Sequence, residues 1–227
     1  TTPPTGADLT KLSGTLNVEQ TSELDDARRR FRRSIQEILL AALGRTIAQT
    51  VGDGVVAVEL EGEGRSVLRP DVDLRRTAGW CTTYYPVPLA CAGGEGSAVV
   101  EQIDAVHNTL KAVPHYGIGY GLLRYLYAPT GRTFGAHRTP DIHFRYAGTI
   151  PELPPVDAPM QFEPDVTMPV RETIPGLGHA LEVRVYRFAG STHLDWWYDS
   201  RRIAADTVQA LARTFPQALS ELIQEGQ

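Results

Sequence analysis

Three carboxylates, two glycines and a guanidinium fall within Glu59-Leu60-Glu61-Gly62-Glu63-Gly64-Arg65-Ser66. The run continues the β-branched stretch Val55-Val56-Ala57-Val58. A carboxylate delivered by a buried strand into a glycine-lined bend can serve as a general base, provided burial raises its pKa. The same pattern also ends many solvated strands. Strand alternation puts Val56, Val58 and Leu60 on one face and Val55, Ala57, Glu59 and Glu61 on the other. Glu59 and Glu61 therefore share a face, which is either a surface or the wall of a polar cavity.

The elements that must hold this strand are legible around it. Residues 1–11 read as a disordered lead-in. Leu16–Glu19 alternates like a short strand, and Ser22 with Asp25 reads as the start of a helix running to about Arg33. Arg28, Arg32 and Arg33 lack helical partners and form either a solvated basic face or a docking patch for an acidic or phosphorylated partner. Ser34 and Glu37 make a capping box for a strongly apolar helix, Ile35–Thr50. Gly52-Asp53-Gly54 turns the chain into the Glu61 strand. A long loop spans 66–79. Trp80–Pro88, with two prolines, fits an edge or bent strand, and Val99–Val113 a helix ended by Pro114. Gly117, Gly119 and Gly121 imply backbone that is bent or closely packed. Leu122–Tyr127 reads as a short helix or turn, 128–140 as a loop, and Ile142–Ala147 as a strand. Residues 149–176 form a Pro- and acid-rich excursion. A hairpin, Ala180–Phe188 and Thr192–Tyr198, precedes a final helix that Pro216 should kink. This order predicts a mixed α/β lobe with a mixed sheet packed with helices, not a doubly wound sheet.

Other chemistries find less support. The 227 residues carry a net charge of −5, which disfavours nucleic acid as the main partner. No apolar run approaches a membrane span, and no signal peptide is visible, so a cytoplasmic location is expected. Cys81 and Cys91 read as reduced thiols. The six histidines lack metal-ligand spacing, and neither a nucleophile elbow nor a P-loop occurs.

Five short stretches resemble, in order, motifs of the epimerization domains of nonribosomal peptide synthetases, within the condensation-domain superfamily. Glu37–Gly44 resembles D-x-L-L-x-A-x-G, and Glu61–Ser66 resembles E-G-H-G-R-E. Arg76–Pro86 resembles R-T-V-G-W-F-T followed by Y-P, Pro114–Gly121 matches P-x-x-G-x-G-Y-G, and Phe144–Gly148 resembles F-N-Y-L-G. The chain departs at Glu63 (histidine in the pattern), Ser66 (glutamate), Cys81 (phenylalanine) and Arg145 (asparagine). The H-H-x-x-x-D-G motif of the N-terminal lobe is absent. The resemblance thus implies that residues 12–227 are the C-terminal lobe of a chloramphenicol-acetyltransferase-like pair.

It further implies L-to-D interconversion at Cα of an aminoacyl or peptidyl thioester carried on the phosphopantetheine of a peptidyl carrier protein, as in antibiotic biosynthesis, with no cofactor bound by the lobe itself. Glu61 is then one acid/base, Arg65 orients or offsets its charge, and Tyr146 lines the site and donates a hydrogen bond. The second acid/base comes from a missing N-terminal lobe. Arg145 is expected beside Glu61 or Glu63, where a cation weakens a base. Two alternatives stand: a catalytically degenerate docking lobe, and condensation-type acyl transfer on the same fold.

Overall fold

A computed structural model describes residues 8–65, 73–74, 76–79, 81–93, 99–150 and 178–224. The first seven residues of the expected lead-in, Trp80, Ser66 and most of the 149–176 excursion lie outside the described residues.

The Glu61 strand is β2 (Gly54–Glu63), and its position follows from its neighbours. Six strands form one mixed sheet in the order β1-β6-β5-β4-β2-β3. These are β1 (Leu9–Leu16), β3 (Thr82–Cys91), β4 (Ile142–Thr149), β5 (Leu181–Phe188) and β6 (Ser191–Asp199) around β2. Pairings β2–β4 and β4–β5 are parallel and the rest antiparallel. β3 is an edge strand, which is where Pro86 and Pro88 are tolerated.

The helices cover one face. They are α1 (Val18–Phe31), α2 (Ile35–Thr50), α3 (Val99–Ala112), a short α4 (Ile118–Gly121), α5 (Ala128–Ala136) and α6 (Ala205–Gln224). α2 is buried nearly all round, from Ile38 to Ala48, and packs on α6. Its Ser34–Glu37 capping box forms as expected, with His107 Nδ1 2.7 Å from Glu37. Burial pushes the Glu37 carboxyl up, but hydrogen bonds from Ser34 and His107 more than offset this and hold it below the usual range. The sheet meets these helices through Val58, Leu60, Phe144, Val183, Val185, Leu194 and Trp196, all essentially inaccessible. Burying such side chains is worth about 1.5–3 kcal/mol each.

Three expectations are corrected. Residues 9–11 are strand, not lead-in, because β1 pairs with β6 along its length, Leu9 opposite Asp199 through Leu16 opposite Thr192. α1 starts well before Ser22: Asn17 caps it, exchanging hydrogen bonds with Gln20 in the same reciprocal geometry as Ser34–Glu37. Residues 128–136 are helix rather than loop, entered through Pro129 in the first turn, where a missing N–H costs nothing. α6 carries Pro216 inside one unbroken helical span. Among the described residues, no helix is long and apolar enough to cross a membrane.

Candidate active site

Parity along β2 and β4 decides what surrounds Glu61. Glu59 lies opposite His143 and Leu60 opposite Phe144 in the parallel β2–β4 pair. Arg145 therefore follows His143 on the face of Glu59 and Glu61, while Phe144 and Tyr146 point to the helices. The register continues into β5, with Glu182 beside His143 and Arg184 beside Arg145. The face away from the helices thus carries a polar array across three strands, and Glu59, His143, Glu182 and Arg184 are all buried in it.

Within the array, Glu61 Oε2 lies 3.2 Å from Arg145 Nε, and Glu61 Oε1 lies 3.7 Å from His143 Nε2. From the edge strand, the Tyr84 hydroxyl donates weakly to Glu61 Oε1 at 3.4 Å. His143 Nδ1 lies 3.7 Å from Glu182. His179, which precedes β5, stacks on His143 with centroids 5.0 Å apart and contacts Glu59 at 2.9 Å. Glu182 also accepts from Arg184 Nε. Burial pushes the Glu182 carboxyl up, yet His143 and Arg184 more than offset this, and it sits at about 2.

The bend after Glu61 needs its glycines. A Cβ on Gly62 would stand 2.5 Å from the Tyr116 carbonyl oxygen, and one on Gly64 would stand 2.4 Å from that of Cys81. The Tyr116 carbonyl reaches Gly62 because His115 and Tyr116 both adopt positive φ, at 49°. Two successive non-glycine residues in that region are strained. Gly117 continues the turn at φ 79°, where a Cβ would collide with the Tyr85 ring. Gly119 and Gly121 have open space instead, so close packing applies only to the first glycine of that run.

The expected site residues separate. Glu61 and Arg145 are together. Arg65 is not beside them: it donates to the carbonyls of Thr77 and Gly79, at 3.2 and 2.9 Å, and so ties the bend to the segment before β3. Tyr146 is placed on the opposite side of the sheet from Glu61, because it is one residue from Arg145 in a strand. It lines a groove of about 600 Å³ with Arg28, Arg32, Arg33, Ser34, Ile35 and Gln36. Burial pushes its hydroxyl up, with Arg187 acting in the opposite sense. Beside that groove Arg33 pairs with Asp104 at 2.8 Å and Arg187 with Asp25 at 2.9 Å. Among the described residues, Arg28 and Arg32 have no ion-pair partner. His143, His179, Glu182 and Arg184 were not among the candidates. For His143, Glu182 and Arg184 the signal is the alternation of polar residues in two otherwise apolar strands, His143/Arg145 and Glu182/Arg184; His179, before β5, carries no such signal.

Comparison with known proteins adds the family context. The family model described as "Condensation domain" matches residues 4–227. One polypeptide of the phenolphthiocerol/phthiocerol polyketide synthase of Mycobacterium tuberculosis is 79% identical over 99% of this chain, which spans 15% of that polypeptide. One polypeptide of the linear gramicidin synthase of Brevibacillus parabrevis is 31% identical over 96% of the chain, which spans 4% of it. Among solved structures, the epimerization domain from the third module of tyrocidine synthetase B superposes with a TM-score of 0.79 at 23% identity, over 100% of this chain and 50% of that one. The first condensation domain of the CDA synthetase superposes at 0.66 with 17% identity, over 98% of this chain and 47% of that one. The mixed sheet with its helices is therefore the condensation-domain fold.

Proposed function

The chain belongs to the condensation-domain family, and on that premise we propose that it is the C-terminal lobe of an epimerization-type domain that moves a proton at Cα of a carrier-bound thioester. The observation that carries this reading is Glu61: a carboxylate at the end of a central strand, on the face free of helices, with Arg145 and His143 converging on it. A thioester carbonyl acidifies the adjacent Cα–H. A carboxylate that takes this proton needs a cation or donor near the carbonyl oxygen, where negative charge develops. Arg145, paired with Glu61 at 3.2 Å, is one side chain on this face that can supply one when the substrate carbonyl competes for it. The proton returns to the other face of Cα from a group outside this chain, the acid/base of a complementary N-terminal lobe.

The substrate is an aminoacyl or peptidyl thioester if the parent resembles the gramicidin synthase, and a polyketide acyl thioester if it resembles the polyketide synthase. Both carry the same acidic α-carbon, on the phosphopantetheine of a carrier protein. The test places Glu61→Gln in the parent polypeptide, with the complementary lobe present, and follows α-proton exchange of the carrier-bound thioester in deuterated water. Loss of at least about 100-fold is expected for a general base. Exchange at the wild-type rate would remove the assignment.

A second reading is a docking lobe without chemistry. The groove lined by Arg28, Arg32 and Tyr146 favours it, since unpaired guanidiniums suit a phosphate or an acidic helix. Carrier binding without any α-proton exchange in the wild type would select this reading. Formation of an amide or ester product instead of exchange would select acyl transfer.

A further inference from the structure

His143 is a buried base to which the catalytic reading assigns no step of its own. It is 3% exposed, and among the described residues neither ring nitrogen has a hydrogen-bond partner. Buried polar nitrogens are seldom left in that state, because their lost hydration is not repaid. Yet the ring is not remote from charge. Its Nε2 faces Glu61 Oε1 and its Nδ1 faces Glu182 Oε1, each at 3.7 Å. This is too long for a hydrogen bond, and it places the ring between two carboxylates.

Around the ring, β2 contributes Glu59 and Glu61, β3 contributes Tyr84, whose ring lies 5.8 Å away, and β4 contributes Arg145. β5 contributes Glu182 and Arg184, and the segment before it contributes His179. His179 stacks on the His143 ring while its own Nε2 is held by Glu59. Glu182 is kept ionised by Arg184 as well as by His143. His143 thus sits between an ionised carboxylate able to balance a charge on the ring and the carboxylate proposed to collect a proton from substrate.

We propose that His143 is a positioning residue that shares the proton of Glu61. When the Cα–H bond breaks, its proton goes to a Glu61 oxygen and its electron pair stays on the thioester as an enolate. The Glu61 O–H then passes the proton to His143 Nε2, leaving a carboxylate and an imidazolium, and Glu182 balances the new charge across the ring. The reverse transfer returns the proton. A closure of under about 1 Å brings the pair to hydrogen-bond length. His179 holds the ring plane against rotation. The inference rests on the acid/base reading of Glu61, but its physical core, a proton shared between two side chains, is measurable without substrate.

The test is an NMR titration of the His143 imidazole in this chain, with histidine-selective labelling, from about pH 4 to about pH 9. Wild type is compared with Glu61→Gln and Glu182→Gln. If the proton is shared, removing either carboxylate makes the imidazolium harder to form, and the midpoint falls by at least about half a pH unit. Using two variants on different strands guards against one failing to fold. An unchanged midpoint in the folded variants would overturn the proposal. In the parent polypeptide, His143→Gln should move the pH profile of α-proton exchange while leaving KM within about twofold. A lower rate with the profile unmoved also overturns it. Failure of the acid/base reading shows separately, as undiminished exchange in Glu61→Gln.

Discussion

The two faces of the sheet use the same strands to opposite ends. In β4, His143 and Arg145 point to the polar side, and Phe144 and Tyr146 to the helices. In β5, Glu182 and Arg184 alternate with Val183 and Val185. Both faces are buried, but for different reasons. The apolar face gains stability from exclusion of water. The polar face gives up some of that gain to keep carboxylates, imidazoles and guanidiniums out of water, and recovers it only through pairing. Buried, mutually paired ionisable groups gather at functional sites more often than elsewhere, and the proposed role of Glu61 draws on that array.

The comparison breaks most visibly at Phe144. It is inaccessible on the helix face, so Phe144→Ala should cost about 3–5 kcal/mol in a urea unfolding experiment. On the other face, Glu182 tests whether pairing really offsets the cost of burial. Its carboxyl is held at about 2, down from 4.5. A depressed carboxyl contributes stability above its unfolded value and loses it as pH falls toward its folded value. Stability should therefore decline by roughly 3 kcal/mol between pH 4.5 and about 2 on account of this group. Urea unfolding at several pH values should show a shallower decline in Glu182→Gln. The smallest effects separate two neighbours. Arg145→Asn removes a partly exposed pair and should cost under about 1 kcal/mol, yet change the rate of α-proton exchange. Tyr146→Phe should change stability by under about 0.5 kcal/mol and leave exchange untouched. An exchange defect in Tyr146→Phe would mean that the two faces are not functionally separate.

Much of this was readable along the chain. The Ser34–Glu37 box with its apolar stripe announced α2, and the glycines at 52 and 54 announced β2, because these signals act over three or four residues. Ser22 and Asp25 mimic a cap inside a helix that already begins at Asn17, so the local pattern places the start of α1 too late. α5 was obscured by Gly131, Gly135 and two threonines, which lower local propensity, although Pro129 marked its entry. The motif order brings Arg145 to Glu61 or Glu63, and the structure selects Glu61. Tyr146 is kept away from Glu61 by parity alone.

What the sequence determined by itself was the alternation: which side chains of each strand travel together, and hence that Glu59 and Glu61 share a face. Only the tertiary structure decided which strands lie side by side. The β2–β4–β5 register brings Glu61, His143 and Glu182 into one array, and the approach of the chain to β5 stacks His179 on His143. Periodicity is a local property of the backbone. Register is chosen by the burial of the whole opposite face, where Leu60, Phe144 and Val183 must meet the helices together, and no short stretch of sequence carries that sum.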